Sequence, residues 1–427
     1  MEYLVRLAQC HETFRVPELQ AVAQLLGIDL EIVSYHEYTP HCVIKVKDEA
    51  AASALISRTI LSRDIMEIWG QGATYEELHA DVKRRCEHRW PEYRDVSFSF
   101  AIDGFCGKRS HEKKVEIIQS FAYLDLQGEI RMKNPDTQFC VIEEYVSRPE
   151  QIALGTEQSS EPRKIFMGRL IAQSARKIID RYDLKKRKYI STTSMDAELS
   201  LVTANMALAA PGKVFYDPFV GTGSFLVAAS HFGASTMGSD IDPRSFRGKD
   251  KLPQEDMALV KNFKQYNIAD NFLDAFSSDL TNTPLRNCEF LDGIVCDPPT
   301  VCARVFGFWE LAMVREGYVP PKRPYGFEAL QRDVLDFAAR TLVPHGRLAM
   351  WMPTGSDEDV HFPVPMHPNL EVVNVSVQPF SNWSRRLITY RRLPEGEISD
   401  TTHGRAKTDA LGTQADELNA FRQKVCV

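Results

Sequence analysis

The chain has 427 residues, of which 44% are hydrophobic and 26% are charged, and its net charge is −7. These values are ordinary for a globular protein of two or three domains. They argue against a protein coated in positive charge, although a local basic face can still bind a nucleic acid. No run of about 18 apolar residues occurs and the start lacks a secretory signal, so we expect a cytoplasmic protein.

Nine cysteines are scattered along the chain, and none forms a Cys-x-x-Cys pair. An odd number in a chain of this length favours reduced thiols in a reducing compartment. We interpret them as small core residues, and we predict no metal site.

The first 65 residues combine strand and helix patterns. Strands are predicted over residues 3–8, 30–33 and 42–46. Apolar residues at three- and four-residue spacing predict a helix from Arg15 to Leu26, which Gly27 ends, and residues 48–60 predict a second helix. This order of elements predicts a small α+β module over residues 1–65.

The following hundred residues have the same mixed character. Strands are predicted over residues 97–102, 139–143 and 164–168. A helix is predicted over 113–121, and the polar segment 155–163 is predicted to be an exposed loop. We predict a second α+β module over residues 66–170, in which Trp69 is a core residue rather than a stacking platform.

After a linker over residues 171–190, short apolar strands alternate with helical segments. Strands are predicted over residues 214–217, 236–240, 290–297 and 347–352. A helix is predicted from Ser224 to His231, with Gly233 as its stop. The alternation predicts an α/β domain over 191–392, a Rossmann-like doubly wound sheet with helices on both faces. The polar residues 393–427 predict a disordered tail.

Residues 217–225 join a predicted strand to a predicted helix and contain Asp217, Phe219, Gly221 and Gly223. Glycines let the backbone approach a ligand, and a helix N-terminus offers free N–H groups. The loop lacks the third glycine of the dinucleotide fingerprint, and an acidic residue ends the strand before it. This arrangement suits a cofactor with a cationic amino group, whereas the alternative is a tight turn without a ligand.

Asp217 and Asp240 end predicted strands, and Asp279 is taken to stand at a third strand end in register with them. Asp217 is the candidate acceptor for a methionine ammonium group. Asp240 is the candidate for ribose hydroxyls and Asp279 for an adenine amino group. Each alone is equally compatible with a helix cap or a turn. Together they predict S-adenosylmethionine as the cofactor and a methyltransferase as the protein class.

The tripeptide Asp297-Pro298-Pro299 follows a predicted strand and is expected to face the same crevice as the glycine loop. The Asp297 carboxylate and the Pro298 carbonyl can each accept one N–H of an exocyclic base amine. That turns the nitrogen lone pair towards a methyl donor and offsets developing positive charge. With the glycine loop upstream, the tripeptide resembles the motif of methyltransferases that act on amino groups of nucleic acids.

That motif continues with an aromatic residue that stacks on the flipped base, but this chain has Thr300 and Val301. Stacking from Phe306, Phe308 or Trp309 is one explanation. The alternatives are a weakened or inactive homologue that still binds tRNA, or an incorrectly joined reading of the gene.

The resemblance extends over residues 1–392 to the catalytic subunits of eukaryotic tRNA guanosine-10 N2-methyltransferases. The segments that carry it are 68–72, 141–145, 182–187, 193–200 and 383–387. It implies ferredoxin-like and THUMP-type RNA-binding modules before the catalytic domain. It also implies tRNA as substrate, N2-methylguanosine as product, and a heterodimer with a small zinc-binding activator subunit.

The resemblance places residues 191–200 before the glycine loop, where they close over the methionine end of the cofactor. Thr193 and Ser194 are the candidates there. The alternative is a helix cap, because Ser194 begins an imperfect capping box.

A basic run lies between the two halves of the chain and consists of Lys185, Lys186, Arg187 and Lys188. These side chains are candidates for gripping tRNA phosphates. The alternative is a solvated surface with no ligand.

Overall fold

The computed structural model describes residues 1–146, 161–248, 257–299, 326–355, 363–381 and 383–397. The chain divides into two compact units, Met1–Lys177 and Ile178–Val427. Among the described residues, no helix has both the length and the apolar character needed to cross a membrane. The predicted loop 155–163 and tail 393–427 lie almost entirely outside the described residues.

The first unit is built around one seven-stranded sheet. Its strands are β1 (Glu2–Leu7), β2 (Glu31–Tyr35), β3 (His41–Lys45), β4 (Ser62–Gly72), β5 (Phe98–Phe105), β6 (Thr137–Glu144) and β7 (Lys164–Gln173). Its α-helices are α1 (Glu12–Leu26), α2 (Glu49–Ile56), α3 (Tyr75–Cys86) and α4 (His111–Ser120). The strand order is β2-β3-β1-β4-β7-β6-β5, and all neighbours are antiparallel except β5 and β6.

The helix α1 begins three residues before its predicted start and ends as predicted at Gly27, whose φ of 65° lies in the left-handed region that glycine tolerates. The core location of Trp69 is also confirmed, because its side chain is 1% exposed. Sequence patterns missed the strand β4, which runs through residue 65 and joins both predicted modules to one sheet. The boundary at residue 65 therefore stays a prediction.

The second unit also contains a seven-stranded sheet. Its strands are β8 (Val214–Asp217), β9 (Ser235–Asp240), β10 (Phe272–Ser277), β11 (Leu291–Cys296), β12 (Leu342–Gly355), β13 (Leu370–Pro379) and β14 (Trp383–Arg392). Its α-helices are α5 (Ile179–Tyr182), α6 (Ala197–Met206), α7 (Ser224–His231), α8 (Arg244–Arg247), α9 (Ala258–Tyr266) and α10 (Phe327–Thr341).

The strand order of this sheet is β10-β9-β8-β11-β12-β14-β13. The strands β8 to β12 are parallel, whereas β14 is antiparallel to both β12 and β13. On β12, Met350 packs in the core cluster that includes α10, while the indole of Trp351 donates to Thr203 of α6 over 3.1 Å. Successive side chains of a strand point to opposite faces, so helices cover both faces and the predicted doubly wound fold is confirmed.

The chain order reverses between β8 and β11, because β9 and β10 extend the sheet to one side of β8 and β11 lies on the other. Open α/β sheets bind ligands at such a switch point, beyond the carboxyl ends of the strands. Asp217 ends β8 and Asp297 directly follows β11. The topology therefore brings the two most prominent acidic residues of the sequence analysis to one crevice.

Candidate active site

The loop after β8 is shaped by its two glycines, which adopt φ values of 49° at Gly221 and 77° at Gly223. A Cβ added at Gly223 would lie 2.2 Å from a methyl carbon of Leu259, so this glycine allows α9 to pack against the loop. A Cβ at Gly221 would meet only the Phe219 carbonyl oxygen, at 3.8 Å. The backbone at Gly221 thus faces open space where a ligand can approach closely.

The Asp217 carboxylate is buried, with 1% of the residue exposed. It accepts a hydrogen bond of 2.9 Å from the amide of Phe219, and no cationic side chain of the described residues pairs with it. Burial raises the pKa of Asp217 well above its ordinary value, and the charges of Asp240 and Asp297 act in the same direction. A carboxyl group in this setting is stabilised by a positively charged ligand, which fits the predicted ammonium contact.

The carboxylates of Asp240 and Asp279 both accept hydrogen bonds from backbone amides of loops at the carboxyl edge of the sheet. The Asp240 carboxylate accepts from the amide of Gly221 at 3.1 Å and from the amide of Asp242 at 2.9 Å. Asp279 is exposed and accepts from the amide of Thr281 at 3.0 Å. Asp240 therefore ties the glycine loop to the end of β9, and the ribose and adenine roles stay predictions.

Ser194 lies beside the glycine loop, since its hydroxyl is 2.7 Å from the hydroxyl of Thr222. Thr193 is exposed, and its hydroxyl is 3.0 Å from that of Ser191. The alternative that Ser194 caps the following helix is wrong, because Asp196 is the N-cap of α6 and accepts from the amide of Leu199. A place for Ser194 near the cofactor loop is compatible with its predicted role.

Asp297 stands at the mouth of the crevice, where a third of its side chain is exposed, and the following Pro298 is buried. Burial raises the pKa of Asp297, and the positive charge of Arg385 acts against that rise. The Arg385 guanidinium is 3.7 Å from the Asp297 carboxylate. In the sequence, the segment around Arg385 carries only a family resemblance, and no local pattern indicates this contact.

Arg385 is itself held by several groups on the same side of the sheet. Its guanidinium lies 5.1 Å from the ring centre of Trp351 and 5.5 Å from that of Phe380. It also donates to the side-chain oxygen of Gln378 over 2.9 Å. Contacts of this kind fix a long side chain in one orientation, so Arg385 is positioned to hold Asp297.

The basic run separates into exposed and buried members. Lys185, Lys186 and Lys188 are exposed, as their predicted contact with phosphates requires. The structure corrects the prediction for Arg187, which is only 6% exposed. Its guanidinium donates to the hydroxyl of Ser224, the first residue of α7, over 2.9 Å. Its guanidinium supports the helix after the glycine loop, so we withdraw it as a phosphate ligand.

Thr300, Val301 and the nearby aromatic residues Phe306, Phe308 and Trp309 lie outside the described residues. The position after Pro299 therefore has no structural account.

Comparison with protein families matches residues 1–176 to the Tmrp11 THUMP N-terminal domain and residues 185–300 to the RMKL-like methyltransferase domain. A tRNA (guanine(10)-N(2))-methyltransferase of Saccharomyces cerevisiae is 40% identical, over 94% of this chain and 96% of its own length. The chain belongs to this family. The corresponding proteins of Schizosaccharomyces pombe and Homo sapiens are 35% and 32% identical, each over 99% of this chain and 95% and 94% of their own lengths.

Membership of this methyltransferase family confirms the predicted fold, enzyme class and cofactor, S-adenosylmethionine. Among solved structures, the chain is similar to TrmN from Thermus thermophilus, with a TM-score of 0.44 and 15% identity over 92% of this chain and 100% of that one.

Proposed function

We propose that this methyltransferase transfers a methyl group from S-adenosylmethionine to the N2 amine of guanosine 10 in tRNA. The observation that supports this best is the pairing of an intact cofactor loop with Asp297 and Pro298 at one switch point. The full-length similarity to enzymes with this name supports the choice of base and position. We also propose a cytoplasmic location, as expected from the sequence.

On the donor side, the Gly221 backbone leaves room for the cofactor and the buried Asp217 carboxylate receives its ammonium group. Asp240, Asp279, Thr193 and Ser194 complete the proposed contacts. When bound, S-adenosylmethionine supplies an electrophilic methyl group on a sulfonium centre. The chain itself contributes position and charge, which suffice for an in-line displacement.

On the acceptor side, Asp297 and the Pro298 carbonyl each accept one N–H of the guanine N2 amine. Held in this way, the nitrogen lone pair would point at the methyl group of the bound cofactor. The cofactor would supply that methyl group by in-line displacement with its thioether as the leaving group, and the amine proton would then pass to water. The Asp297 carboxylate stabilises the positive charge that develops on nitrogen. The ion pair with Arg385 opposes protonation of Asp297, which would remove one acceptor.

Lys185, Lys186 and Lys188 are proposed to contact the tRNA backbone, because they are exposed beside the element that precedes the glycine loop. Contacts to phosphates add affinity without reading sequence.

We further propose that the enzyme acts with a small zinc-binding activator. One feature suits a protein partner: β10 is an edge strand of the second sheet, and its Leu273 is 55% exposed. Exposed apolar edge strands are sites where another chain can add a strand.

Leu273→Asp is expected to abolish co-purification with the activator while S-adenosylhomocysteine binding is retained. If Leu273→Asp still co-purifies with the activator, β10 is excluded as the binding site for the activator.

The decisive experiment measures transfer of a labelled methyl group to unmodified tRNA, with the activator present. A matched tRNA with inosine at position 10 lacks the amine and should remain unlabelled. Cofactor binding without transfer would favour an inactive tRNA-binding homologue, in keeping with Thr300 in place of an aromatic residue. Equal transfer to DNA would instead favour a DNA amino methyltransferase.

A further inference from the structure

Arg385 uses only part of its hydrogen-bonding capacity. Its Nε and Nη2 both donate to the side-chain oxygen of Gln378, at 3.2 and 2.9 Å, and Nη2 also contacts the sulfur of Met195 at 3.6 Å. Within the described ranges, the third nitrogen, Nη1, makes no hydrogen bond. Its contact with the Asp297 carboxylate is 3.7 Å long, which exceeds the usual hydrogen-bond length of about 2.7–3.2 Å. Nη1 is therefore a donor available to a ligand.

The Asp297 carboxylate also has unused capacity, because neither of its oxygens accepts a hydrogen bond from a described residue. Asp217 and Asp240, in contrast, each accept from a backbone amide. The side chains of Asp297 and Arg385 are 33% and 22% exposed, so a ligand can reach both. One donor nitrogen and two acceptor oxygens thus lie side by side at the crevice.

The guanidinium of Arg385 has a fixed orientation at this edge. Arg385 is opposite Pro353, near the carboxyl end of β12, and β12 is parallel to β11. Its side chain lies over the ring of Trp351, with 5.1 Å between the guanidinium carbon and the ring centre. Because Gln378 binds the Nε and Nη2 side of the group, Nη1 is the nitrogen that faces Asp297. A donor held in this way loses little freedom when it binds a ligand.

Guanine presents three polar groups in a row on its Watson–Crick edge: the N2 amine and N1–H donate, and O6 accepts. Enzymes that act on a flipped base read it through this edge. The two Asp297 oxygens can accept from N2 and N1, Nη1 of Arg385 can donate to O6, and the second amine hydrogen remains for the Pro298 carbonyl. Adenine has its amine beside an unprotonated N1 and would leave one Asp297 oxygen without a donor, which costs free energy.

We propose that Arg385 selects guanine by donating a hydrogen bond from Nη1 to O6 of the flipped base, while Asp297 accepts from N1 and N2. This inference rests on the proposed function and adds a substrate contact to it. Arg385 forms no covalent bond and transfers no proton. Its contact restricts the base to the orientation in which the N2 amine lies between Asp297 and Pro298.

The test measures methyl transfer to tRNA that carries either guanine or 2-aminopurine at position 10, with the activator present. 2-Aminopurine keeps the N2 amine but lacks O6. Arg385→Met keeps an apolar side chain without a donor, so kcat/KM for the guanine tRNA should fall about 10- to 100-fold with the loss of a charged hydrogen bond. For the 2-aminopurine tRNA, on which the wild type is itself slower, Arg385→Met should stay within about threefold of the wild type.

A pH profile separates this contact from the effect of Arg385 on the charge of Asp297. Burial raises the pKa of Asp297 and Arg385 acts against that rise, so Arg385→Met should hold Asp297 protonated to higher pH. If this were the whole role of Arg385, alkaline pH would restore transfer to the guanine tRNA. We expect the two tRNAs to be compared at alkaline pH, where Asp297 is ionised, and the fall with guanine to persist there.

Arg391→Met is the matched control. Arg391 lies on the same strand, near its opposite end, and also pairs with a carboxylate, that of Glu371 at 2.6 Å. We expect wild-type transfer to both tRNAs in this variant. S-adenosylhomocysteine affinity should be unchanged in both arginine variants.

An equal fall on the two tRNAs, or full restoration at alkaline pH, would overturn the proposal while the proposed function stands. If Arg385→Met does not fold or loses cofactor affinity, Arg385→Gln decides by the same comparison, because its amide ends short of the Nη1 position. Absence of transfer to the guanine tRNA by the wild-type enzyme would instead contradict the proposed function itself.

Discussion

Buried carboxylates have opposite electrostatic environments in the two units: one is paired with several donors, and the other has no cationic partner among the described residues. In the first unit, Glu144 accepts hydrogen bonds from His41 and Thr39, both at 2.5 Å, and from Arg163 at 2.8 Å. Burial alone would raise the pKa of Glu144, but these partners outweigh burial and lower it to about 2. In the second unit, Asp217 accepts one backbone hydrogen bond and burial raises its pKa.

Other acidic residues of the first unit follow the pattern of Glu144. Glu143 is bonded by the hydroxyls of Tyr75 and Tyr145 and by Arg109, and Glu67 is bonded by Arg89 and Arg169. Buried charge that is fully paired stabilises one arrangement of the chain. A buried carboxylate without a cationic partner is destabilising by itself, so the cost is offset only when a cation binds. The contrast separates structural carboxylates from a ligand site.

The largest expected effect tests whether Asp297 belongs to the acceptor side. Asp297→Ala should reduce methyl transfer at least about 100-fold, because one acceptor for the N2 amine and its charge stabilisation are lost. S-adenosylhomocysteine affinity, measured by calorimetry, should remain within a few-fold of the wild type. Asp336→Ala is a control on an exposed carboxylate paired with His367. Equal loss of cofactor affinity would make Asp297 a structural residue.

The next effect concerns a paired carboxylate. Glu144→Gln should lower the free energy of unfolding by about 3 kcal/mol, because a charge is removed from partners that stay buried. Chemical denaturation of the ligand-free protein measures this. Glu31→Gln is the control, since Glu31 and Lys45 form an ion pair in which both side chains are exposed. A loss as small as that of the control would show that the network around Glu144 contributes little.

Asp217→Asn should act with the opposite sign on stability. Removing an uncompensated buried charge is expected to leave the ligand-free protein as stable as the wild type or more so. Cofactor affinity should nevertheless fall about 10- to 100-fold, because a charge-assisted hydrogen bond to the ammonium group is lost. A large drop in stability with unchanged affinity would remove Asp217 from the cofactor site.

The same contrast predicts opposite pH dependences. The folded-state pKa of Glu144 is depressed, so its contribution to stability is present above its unfolded pKa of about 4.3 and is lost as pH falls towards 2. The folded-state pKa of Asp217 is raised, so its contribution is present below about pH 3.9 and is lost as pH rises through the folded value. Denaturation of the wild type, Glu144→Gln and Asp217→Asn across pH measures both, and parallel curves would contradict the contrast.

The strand, loop and helix that are proposed to form the donor side could be predicted because their signals are local. A short apolar strand, Asp217, two glycines and a helix follow one another within 18 residues, so the local pattern of residue types identifies them. The contact between Asp297 and Arg385 could not be predicted, since it joins residues 88 positions apart through a hairpin that the sequence patterns missed. Arg187 shows the same limit, because its neighbours are exposed lysines and only the packed helix α7 reveals that it points inward.

The smallest effect is expected for Asp240→Ala, which tests whether Asp240 is a structural carboxylate or a cofactor ligand. Its oxygens accept from the amides of Gly221 and Asp242, as in a structural turn, yet it lies at the carboxyl edge where the ribose is proposed to bind. Loss of ribose hydrogen bonds that together contribute about 1.4 kcal/mol should weaken cofactor binding about tenfold. Asp240→Asn keeps one acceptor and should lose less. If Asp240→Ala leaves cofactor affinity unchanged, the Asp240 carboxylate only stabilises the loop. If Asp240→Ala loses more affinity than Asp217→Asn, the conformation of the glycine loop contributes more to cofactor binding than the charge of Asp217 does.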